Sequence, residues 1–315
     1  MKLYYHSGKM PTLIKPVGVV TAFDRTRILF DVPEIEPVIA IGEMVAPASF
    51  ADVCDERASQ ISEFAKAQDQ KLYVLWSGGI DSTAALVALM KFASASDIVV
   101  VMSEGSIAEY PWFYENKING KLAVEMTPQA TILPRVSKLI RDGRILVTGE
   151  LGDQIFGSVK YKDYPDYSVL MSPWQDVLSA PSEIMERYER FAAACPAQIK
   201  TTKEFWWWLS YAVKYQGVCF RTLLCSRQAV LERNVFHFFH AKSFNDWAVS
   251  TPMEEKFFGT DERRYKQIAK DYIFDTTGDL HYRNEKTKEV SLQPKITPVG
   301  FHTFFTWVAT DWSKG

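Results

Sequence analysis

Short apolar runs alternate with amphipathic stretches through the middle of the chain. Residues 71–76, 98–102 and 144–148 are runs of strand-forming residues. The run 98–102 is unbroken and apolar, as in parallel strands buried on both faces, and 144–148 is predicted as another buried strand. Residues 81–92 and 132–141 between them have apolar positions at helical spacing. This alternation of strand and helix predicts an α/β fold with a doubly wound parallel sheet.

Weaker patterns occur within this core and on its N-terminal side. Helices are predicted at 50–68 and 107–117, with a further strand at 121–126. Residues 1–50 contain short β-like runs at 17–20, 27–30 and 38–41, interrupted by prolines. We therefore expect a small β-rich N-terminal segment.

Beyond residue 160 aromatic residues become frequent and strand-like runs disappear. Helices are predicted at 177–194, 203–224 and 263–272, followed by a mixed, loop-rich tail. The expected organisation is an N-terminal extension with its helix over 1–69, a nucleotide-binding α/β core over 70–160, and a helical C-terminal half over 161–315.

Composition narrows the class of protein. Of 315 residues, 47% are hydrophobic, and 36 basic against 38 acidic residues give a net charge of −2. A near-neutral chain has no bulk electrostatic signature for nucleic acid or a membrane surface. The sequence shows neither a signal-peptide pattern nor an apolar run of membrane-spanning length. Because Cys54, Cys195, Cys219 and Cys225 form no CxxC pair, we expect buried free thiols in a cytoplasmic protein.

The most informative segment is residues 77–82, which lie between a predicted strand and a predicted helix. Gly78 and Gly79 allow a tight turn and close approach to an oxyanion, and Ser77 and Ser82 add hydroxyl donors. A carboxylate such as Asp81 suits a phosphate site only with Mg²⁺ between the two anions. The alternative, a plain strand–turn–helix junction, accounts for the glycines but not for Asp81 and Ser82.

The segment LWSGGIDST resembles the SGGxDS signature of PP-loop ATP pyrophosphatases. These enzymes cleave ATP between the α and β phosphates, adenylate a substrate and release pyrophosphate. The resemblance implies an adenine nucleotide alpha hydrolase-like fold, with ATP and Mg²⁺ as cofactors.

A second segment, VTGELGDQIFG at residues 147–157, is similar to the SGEGxDExFGG segment of asparagine synthetases and of the β-lactam-forming and lasso-peptide-forming cyclases. The resemblance implies that Asp153 shares the magnesium with Asp81, that Glu150 faces the reaction centre and that Gly149 belongs to the nucleotide site. The alternative is an acidic, Gly-rich surface turn.

The likeness has departures and a weaker continuation. Gln154 stands where the family has a second acid, and Gly157-Ser158 where it has two glycines. Gln154 removes a charge near the loop and leaves the proposed metal ligands in place. Further on, Arg233 and Phe236 match two positions of the family's RxPFLD stretch.

Residues 281–286 resemble an R-x-K segment near the end of the synthetase domain, where a lysine reaches the phosphates. The candidate is Lys286, with Lys288 as the runner-up. A lysine there would neutralise leaving pyrophosphate or an oxyanion. The alternative is a solvated run of surface charges.

The adenine base is expected over the carboxyl ends of the strands, at the switch point of the sheet. The candidates are Leu75, Trp76, Met102, Ser103 and Thr148. Each is equally consistent with an ordinary core or loop position.

Two other features have ordinary interpretations. The aromatic run 205–208 is expected to pack in a helical core. His237 and His240 lack an evident third ligand, so packing or hydrogen bonding is expected rather than a metal site.

The resemblance implies an AMP-forming C–N ligase that adenylates a small-molecule or peptide carboxylate and forms an amide. The residues before the first motif are too few for a glutaminase domain, so we expect ammonia or an amine as nucleophile, possibly from a separate glutaminase. The alternative is a PP-loop enzyme that modifies a nucleobase or tRNA by adenylating a base carbonyl. A non-catalytic nucleotide-binding protein is a third hypothesis, which the presence of both Asp81 and Asp153 disfavours.

Overall fold

The structure is a computed structural model that describes residues 3–4, 12–13, 42–46, 48–128, 132–157, 167–177, 182–215, 218, 233–256 and 261–287. Near the N-terminus, β1 (Leu3–Tyr4) pairs antiparallel with β2 (Thr12–Leu13). The strand-like runs predicted at 17–20, 27–30 and 38–41 lie outside the described residues.

The centre of the molecule is a five-stranded sheet whose neighbouring strands are all parallel, in the order β5-β4-β3-β6-β7. Its strands are β3 (Leu72–Leu75), β4 (Ile98–Met102), β5 (Ala123–Met126), β6 (Ile145–Thr148) and β7 (Val235–His237). The parallel sheet confirms the predicted α/β class, and the predicted strands match to within two residues at either end.

The order in which the strands are added to the sheet reverses between β3 and β6, which makes this the switch point of the sheet. From β3 it runs outward through β4 to β5, then returns to place β6 on the opposite side of β3. Leu75 at the end of β3 is in register with Thr148 at the end of β6. Loops at the carboxyl ends of such neighbours border the crevice where open α/β sheets bind ligands.

Helices surround the sheet and make up most of the described part of the C-terminal half. They are α1 (Phe50–Ala67), α2 (Ile80–Phe92), α3 (Glu104–Glu109), α4 (Pro111–Phe113), α5 (Ile132–Arg141), α6 (Gly152–Phe156), α7 (Tyr167–Met171), α8 (Trp174–Val177), α9 (Ser182–Ala193), α10 (Thr202–Leu209), α11 (Lys242–Ser250), α12 (Met253–Lys256), α13 (Gln267–Thr277) and α14 (Leu280–Glu285). Helices α1, α2 and α13 pack together.

Two hydrophobic clusters separate the faces of the sheet. Leu72 and Val74 of β3 belong to the larger cluster with α1 and α2. Tyr73 and Leu75, which alternate with them, lie against a smaller cluster that includes Val136 of α5. Alternate residues of a strand point to opposite faces, so helices cover the sheet on both sides, as in a doubly wound fold.

Local sequence signals set several helix ends. The Ser49 hydroxyl accepts from the Asp52 N–H at the start of α1. Thr201 and Glu204 form a reciprocal capping box at the start of α10. Gly278, with φ +71°, ends α13 in the left-handed conformation that favours glycine.

The structure differs from the predicted pattern in two places. The single helix expected at 107–117 is divided into α3, α4 and a π-helical turn, Tyr114–Ile118, with Pro111 at the break. Proline lacks the N–H that would continue the preceding helix. Strand β7 lies within the half predicted to be helical, and its three residues are too few for an alternating pattern to be visible.

Of the region predicted as 177–194, residues 178–181 lie outside the described part, and Ser182–Ala193 form α9. Two other predicted C-terminal helices differ from their predicted limits. The helix predicted at 203–224 is divided into α10 and a π-helical turn at 210–214. Of the helix predicted at 203–224, residues 216–217 and 219–224 lie outside the described part. Instead of one helix at 263–272 there is a 3₁₀ turn, Glu262–Arg264, and then α13.

The aromatic run 205–208 packs largely in the core, as predicted. Phe205, Trp207 and Trp208 are buried, and the Trp207 indole donates to the Ile155 carbonyl at 3.2 Å. This bond joins α10 to α6, and therefore the helical half to the loop that follows β6.

Two further predictions concern cysteines and membrane spans. Cys54 and Cys195 are buried free thiols, as expected; Cys219 and Cys225 lie outside the described residues. Within the described part of the chain, no helix has both the length and the apolar character that crossing a membrane requires.

Candidate functional site

The first loop of the site, residues 77–79, joins β3 to α2. Gly78 has φ +80°, and a Cβ atom there would lie 2.5 Å from the Ser106 carbonyl oxygen. Both the backbone conformation and the space therefore require glycine. Gly79 is the N-cap of α2, whose first N–H groups have no partner inside the helix and can bind an anion.

The two serines of this loop are bonded to each other. The Ser82 hydroxyl accepts from the Ser77 N–H at 3.1 Å, lies 3.0 Å from the Ser77 hydroxyl and donates to the Gly79 carbonyl at 3.2 Å. These bonds hold the loop in shape. They also mean that an arriving anion would exchange partners with the hydroxyls rather than meet unbonded donors.

The second loop, residues 149–151, joins β6 to α6 and packs directly on the first. A Cβ atom on Gly149 would lie 2.6 Å from the Ser82 nitrogen, and one on Gly152 would lie 2.3 Å from Cγ of Asp81. Leu151 has φ +78°, which for a non-glycine residue costs roughly 1–2 kcal/mol. The glycines of the second motif thus let its loop contact the first turn of α2.

Asp81 and Asp153 meet on one ammonium group, that of Lys266. Lys266 Nζ lies 2.6 Å and 2.5 Å from the two Asp81 oxygens and 2.7 Å from Oδ1 of Asp153. The lysine side chain is 2% exposed. The two carboxylates, far apart in sequence, therefore share a single cation at the switch point of the sheet.

The charge on Lys266 is held by its partners against the effect of burial. Burial disfavours the ammonium form, but the Asp153 and Asp81 carboxylates outweigh it and raise the pKa of Lys266 above its ordinary value. Lys266 also adopts the left-handed conformation, φ +52°, immediately before α13. The neighbouring Tyr265 hydroxyl donates to Asp153 at 2.8 Å.

The acidic pair has the ligand chemistry for magnesium. Carboxylate oxygens are the ligands that Mg²⁺ prefers, and Asp81 and Asp153 face one point. That point holds the Lys266 ammonium in this structure, so a metal between the carboxylates requires the ammonium to move. Among the described residues no group of three or more His, Cys, Asp or Glu side chains is arranged to hold a metal. The magnesium role stays a prediction.

Glu150 is positioned through β6 and β7. Its N–H donates to the Thr148 hydroxyl at 3.3 Å, and that hydroxyl lies 2.7 Å from Nδ1 of His237. Thr148 and His237 are buried. His237 therefore acts in hydrogen bonding, as predicted, and so does His240, whose Nδ1 lies 3.1 Å from the Tyr215 hydroxyl.

Lys286 lies beside the first loop rather than on the acidic pair. Its Nζ is 3.2 Å from Oε1 of Glu109, with the lysine 9% and the glutamate 13% exposed. The same Glu109 oxygen would lie 3.3 Å from a Cβ on Gly79. The Glu109 side chain thus lies between Lys286 and the loop backbone. Lys288 lies outside the described residues.

The residues expected around adenine lie at the ends of β3, β4 and β6, and most are engaged locally. The Trp76 indole donates to Thr83 at 3.0 Å, Met102 is buried in the core, and the Ser103 hydroxyl lies 3.3 Å from that of Ser106. Leu75 is partly buried on the opposite face. The base site remains a prediction.

Sequence reasoning missed Lys266 as a site residue and included it only in the helix predicted at 263–272. It also missed Glu109. Two residues depart from the family motif. Gln154 is buried, and Ser158 lies outside the described residues. Arg233 is exposed beyond the sheet, and Phe236 is buried in β7.

A scan against protein-family models gives no match to this chain, and a search of the curated proteins also gives none. The geometry of the two loops and of Lys266 is therefore the ground on which the function is proposed.

Proposed function

We propose that the chain is an AMP-forming C–N ligase: it binds ATP on the first loop, adenylates a substrate carboxylate and joins the acyl group to ammonia or an amine. The observation that supports this most directly is the meeting of Asp81 and Asp153 on Lys266. Two motif loops that are distant in sequence converge there, at the edge of the sheet where nucleotides bind in open α/β folds.

In the first step a carboxylate oxygen of the substrate attacks the α-phosphorus of ATP. The new O–P bond forms as the bond from the α-phosphorus to the bridging oxygen breaks, and pyrophosphate leaves with the electron pair. The helix N-terminus at Gly79 and the ammonium groups of Lys266 and Lys286 are the groups that would stabilise this growing negative charge.

When Mg²⁺ is bound, it would supply further positive charge at the phosphate oxygens, held by Asp81 and Asp153. The Lys266 ammonium would then exchange the shared carboxylates for phosphate. Its ammonium lies on Asp81, in the first turn of α2, and a lysine side chain is a flexible stem with a compact charge suited to such an exchange.

In the second step the amine attacks the acyl carbon, and AMP leaves as the amide forms. A proton must leave the attacking nitrogen, and Glu150 is the carboxylate proposed to face this reaction. Its backbone is fixed by Thr148, which is fixed in turn by His237. Such fixed placement favours proton transfer, because a general base must lie within hydrogen-bond reach of its proton.

ATP–pyrophosphate exchange tests this function. Candidate carboxylates should stimulate exchange of labelled pyrophosphate into ATP, and AMP with pyrophosphate should be the products. ADP and phosphate as the main products would contradict the proposal. Stimulation by nucleosides or RNA, with none by carboxylates, would instead indicate an enzyme that modifies bases.

A further inference from the structure

Lys270 is a fully buried lysine one turn along α13 from Lys266. Its side chain is 0% exposed. Its ammonium donates to the Arg263 carbonyl and, at 3.2 Å, to the Lys286 carbonyl. A buried lysine that bonds main-chain oxygens in two separate segments joins those segments to each other.

Both segments hold a lysine of the proposed phosphate site. Arg263 lies in the 3₁₀ turn that leads into Tyr265 and Lys266, and Lys286 is the C-cap of α14. Carbonyls at helix ends have no partner inside the helix, and a lysine that approaches them satisfies them. Lys270 therefore contacts the backbone behind Lys266 and the backbone of Lys286 itself.

Other contacts also hold α14, which packs directly against the 3₁₀ turn behind Lys266 as well. The Tyr110 ring stacks on Tyr282 at 3.8 Å, and the Tyr110 hydroxyl donates to Asp279 at 3.0 Å. Arg283 bonds Asp271 at 2.6 Å. These interactions hold α14 to Tyr110 and to α13, whereas Lys270 touches the Lys266 and Lys286 segments at once.

The position has an energetic cost that ordinary packing would avoid. Burial lowers the pKa of Lys270 to about 8, despite the favourable fields of Asp271, Asp261 and Glu285. Burying an ammonium costs free energy, and its hydrogen bonds must offset that cost. The two carbonyls are the partners that account for it.

We propose that Lys270 is a positioning residue that fixes Lys266 and Lys286 relative to each other and so shapes the pyrophosphate site. The phosphate part of this statement rests on the proposed function. The coupling of the two lysines is a property of the protein alone and is measured without nucleotide.

The test compares amine labelling of native protein, Lys270→Met and Lys270→Arg, using a succinimidyl ester and mass spectrometry of each lysine. Native Lys266 should label slowly because it is buried between two carboxylates. In Lys270→Met, labelling of Lys266 and Lys286 should rise at least about tenfold, because the local opening that exposes them becomes easier. Lys270→Arg keeps charged N–H donors and should restore most of the protection.

Lys256→Met is the matched control, because Lys256 is also buried and its Nζ also donates to a carbonyl, that of Ala248 at 2.6 Å. Its loss should leave the labelling of Lys266 unchanged. Circular dichroism of each variant shows that it is folded. Three results would overturn the proposal. Labelling of Lys266 and Lys286 could be the same in folded Lys270→Met as in native protein, or as high in Lys270→Arg as in Lys270→Met. Labelling of Lys266 could also rise as much in Lys256→Met as in Lys270→Met.

Nucleotide kinetics separate this inference from the proposed function. If both hold, Lys270→Met should lower kcat and kcat/KM for ATP together by about tenfold or more, since Lys266 and Lys286 are assigned to the charge that grows on the leaving pyrophosphate. If the native protein shows no adenylation while the labelling result stands, the proposed function fails and the positioning role remains.

Discussion

A Cβ atom added to Gly152 would lie 2.3 Å from Cγ of Asp81 and within 2.5 Å of both its carboxylate oxygens. The second loop can thus contact the carboxylate of the first only because residue 152 is glycine. Gly152→Ala should displace Asp81 while leaving the sheet intact. We expect adenylation to fall by roughly 100-fold, the effect of a misplacement on the scale of an ångström. Pyrophosphate exchange together with a thermal melt measures both parts.

Gly143→Ala is the control for the cost of removing a glycine. Gly143 has φ +72° with nothing within 4 Å of an added Cβ, so its replacement should cost roughly 1–2 kcal/mol of stability through backbone strain alone. Its activity should be unchanged. A Gly152→Ala protein as active as Gly143→Ala would show that the contact with Asp81 does not set the geometry of the site.

Asp81→Asn and Asp153→Asn should each lower adenylation by at least ~100-fold, about 2.7 kcal/mol of transition-state stabilisation. For activity the double variant should lose much less than the sum, because the pair acts as a unit. For stability we expect the opposite: the double variant should lose more than the sum of the two single variants. Each single variant leaves Lys266 one of its two carboxylates, whereas the double variant removes both from a buried ammonium.

Chemical denaturation of the four proteins checks this reversal. The free energy of unfolding should fall by more in the double variant than in the two single variants together. Additive losses in both activity and stability would contradict the shared cation.

Lys266→Met should change metal binding in the absence of nucleotide. The ammonium that lies between Asp81 and Asp153 competes with any divalent cation for the same oxygens. Its removal should tighten Mn²⁺ binding by at least about tenfold, since a competitor is lost. Electron paramagnetic resonance of free Mn²⁺ measures the affinity.

Lys286→Met removes the same charge beside Glu109, away from the acidic pair, and controls for net charge. It should leave Mn²⁺ affinity nearly unchanged. Equal affinity of native protein and Lys266→Met would mean that the carboxylates do not form a cation site.

Stability should depend on pH through Lys256, whose pKa burial lowers to about 7 in the folded protein. Cys195, Glu204 and Glu254 favour its charge, and Lys203 opposes it. Because the folded pKa lies below the unfolded value, the unfolded chain binds more protons between about pH 7 and 10.5. This contribution to stability is therefore greatest above that window and is lost as the pH falls through 7.

Lys256→Met should remove this rise. In native protein the lysine contributes an increase of up to about 1.4 kcal/mol per pH unit inside the window. Urea unfolding at pH 7 and pH 9 in both proteins isolates the difference. The same slope in the variant would show that Lys256 titrates normally, for example because the Trp207 ring, 3.8 Å from its nitrogen, favours the charge.

The strands and helices around the first loop were predictable because their patterns are local. Residues 98–102 form an unbroken apolar run, and α5 follows from apolar positions at helical spacing. The break at Pro111 was readable in principle, since proline disrupts a helix at a known position. Strand β7 was not, because three residues contain too little periodicity.

The candidate site was predictable only where its residues follow strands. Asp81 and Asp153 occupy turns after β3 and β6, and parallel strands bring such turns to one edge. Lys266 comes from a distant segment, and its burial depends on how α13 packs against α2. No local pattern distinguishes it from an exposed lysine, so Lys286 was favoured on motif spacing instead.

The sharing of Lys266 has a consequence for the order in which the protein is made. Both carboxylate-bearing loops leave the ribosome well before residues 265–266, and synthesis adds only about 5–20 residues per second. A nascent chain can therefore form the sheet with Asp81 and Asp153 facing each other and repelling. The arrival of Lys266 removes that repulsion, so a segment synthesised later makes the earlier-formed loops stable in their final places.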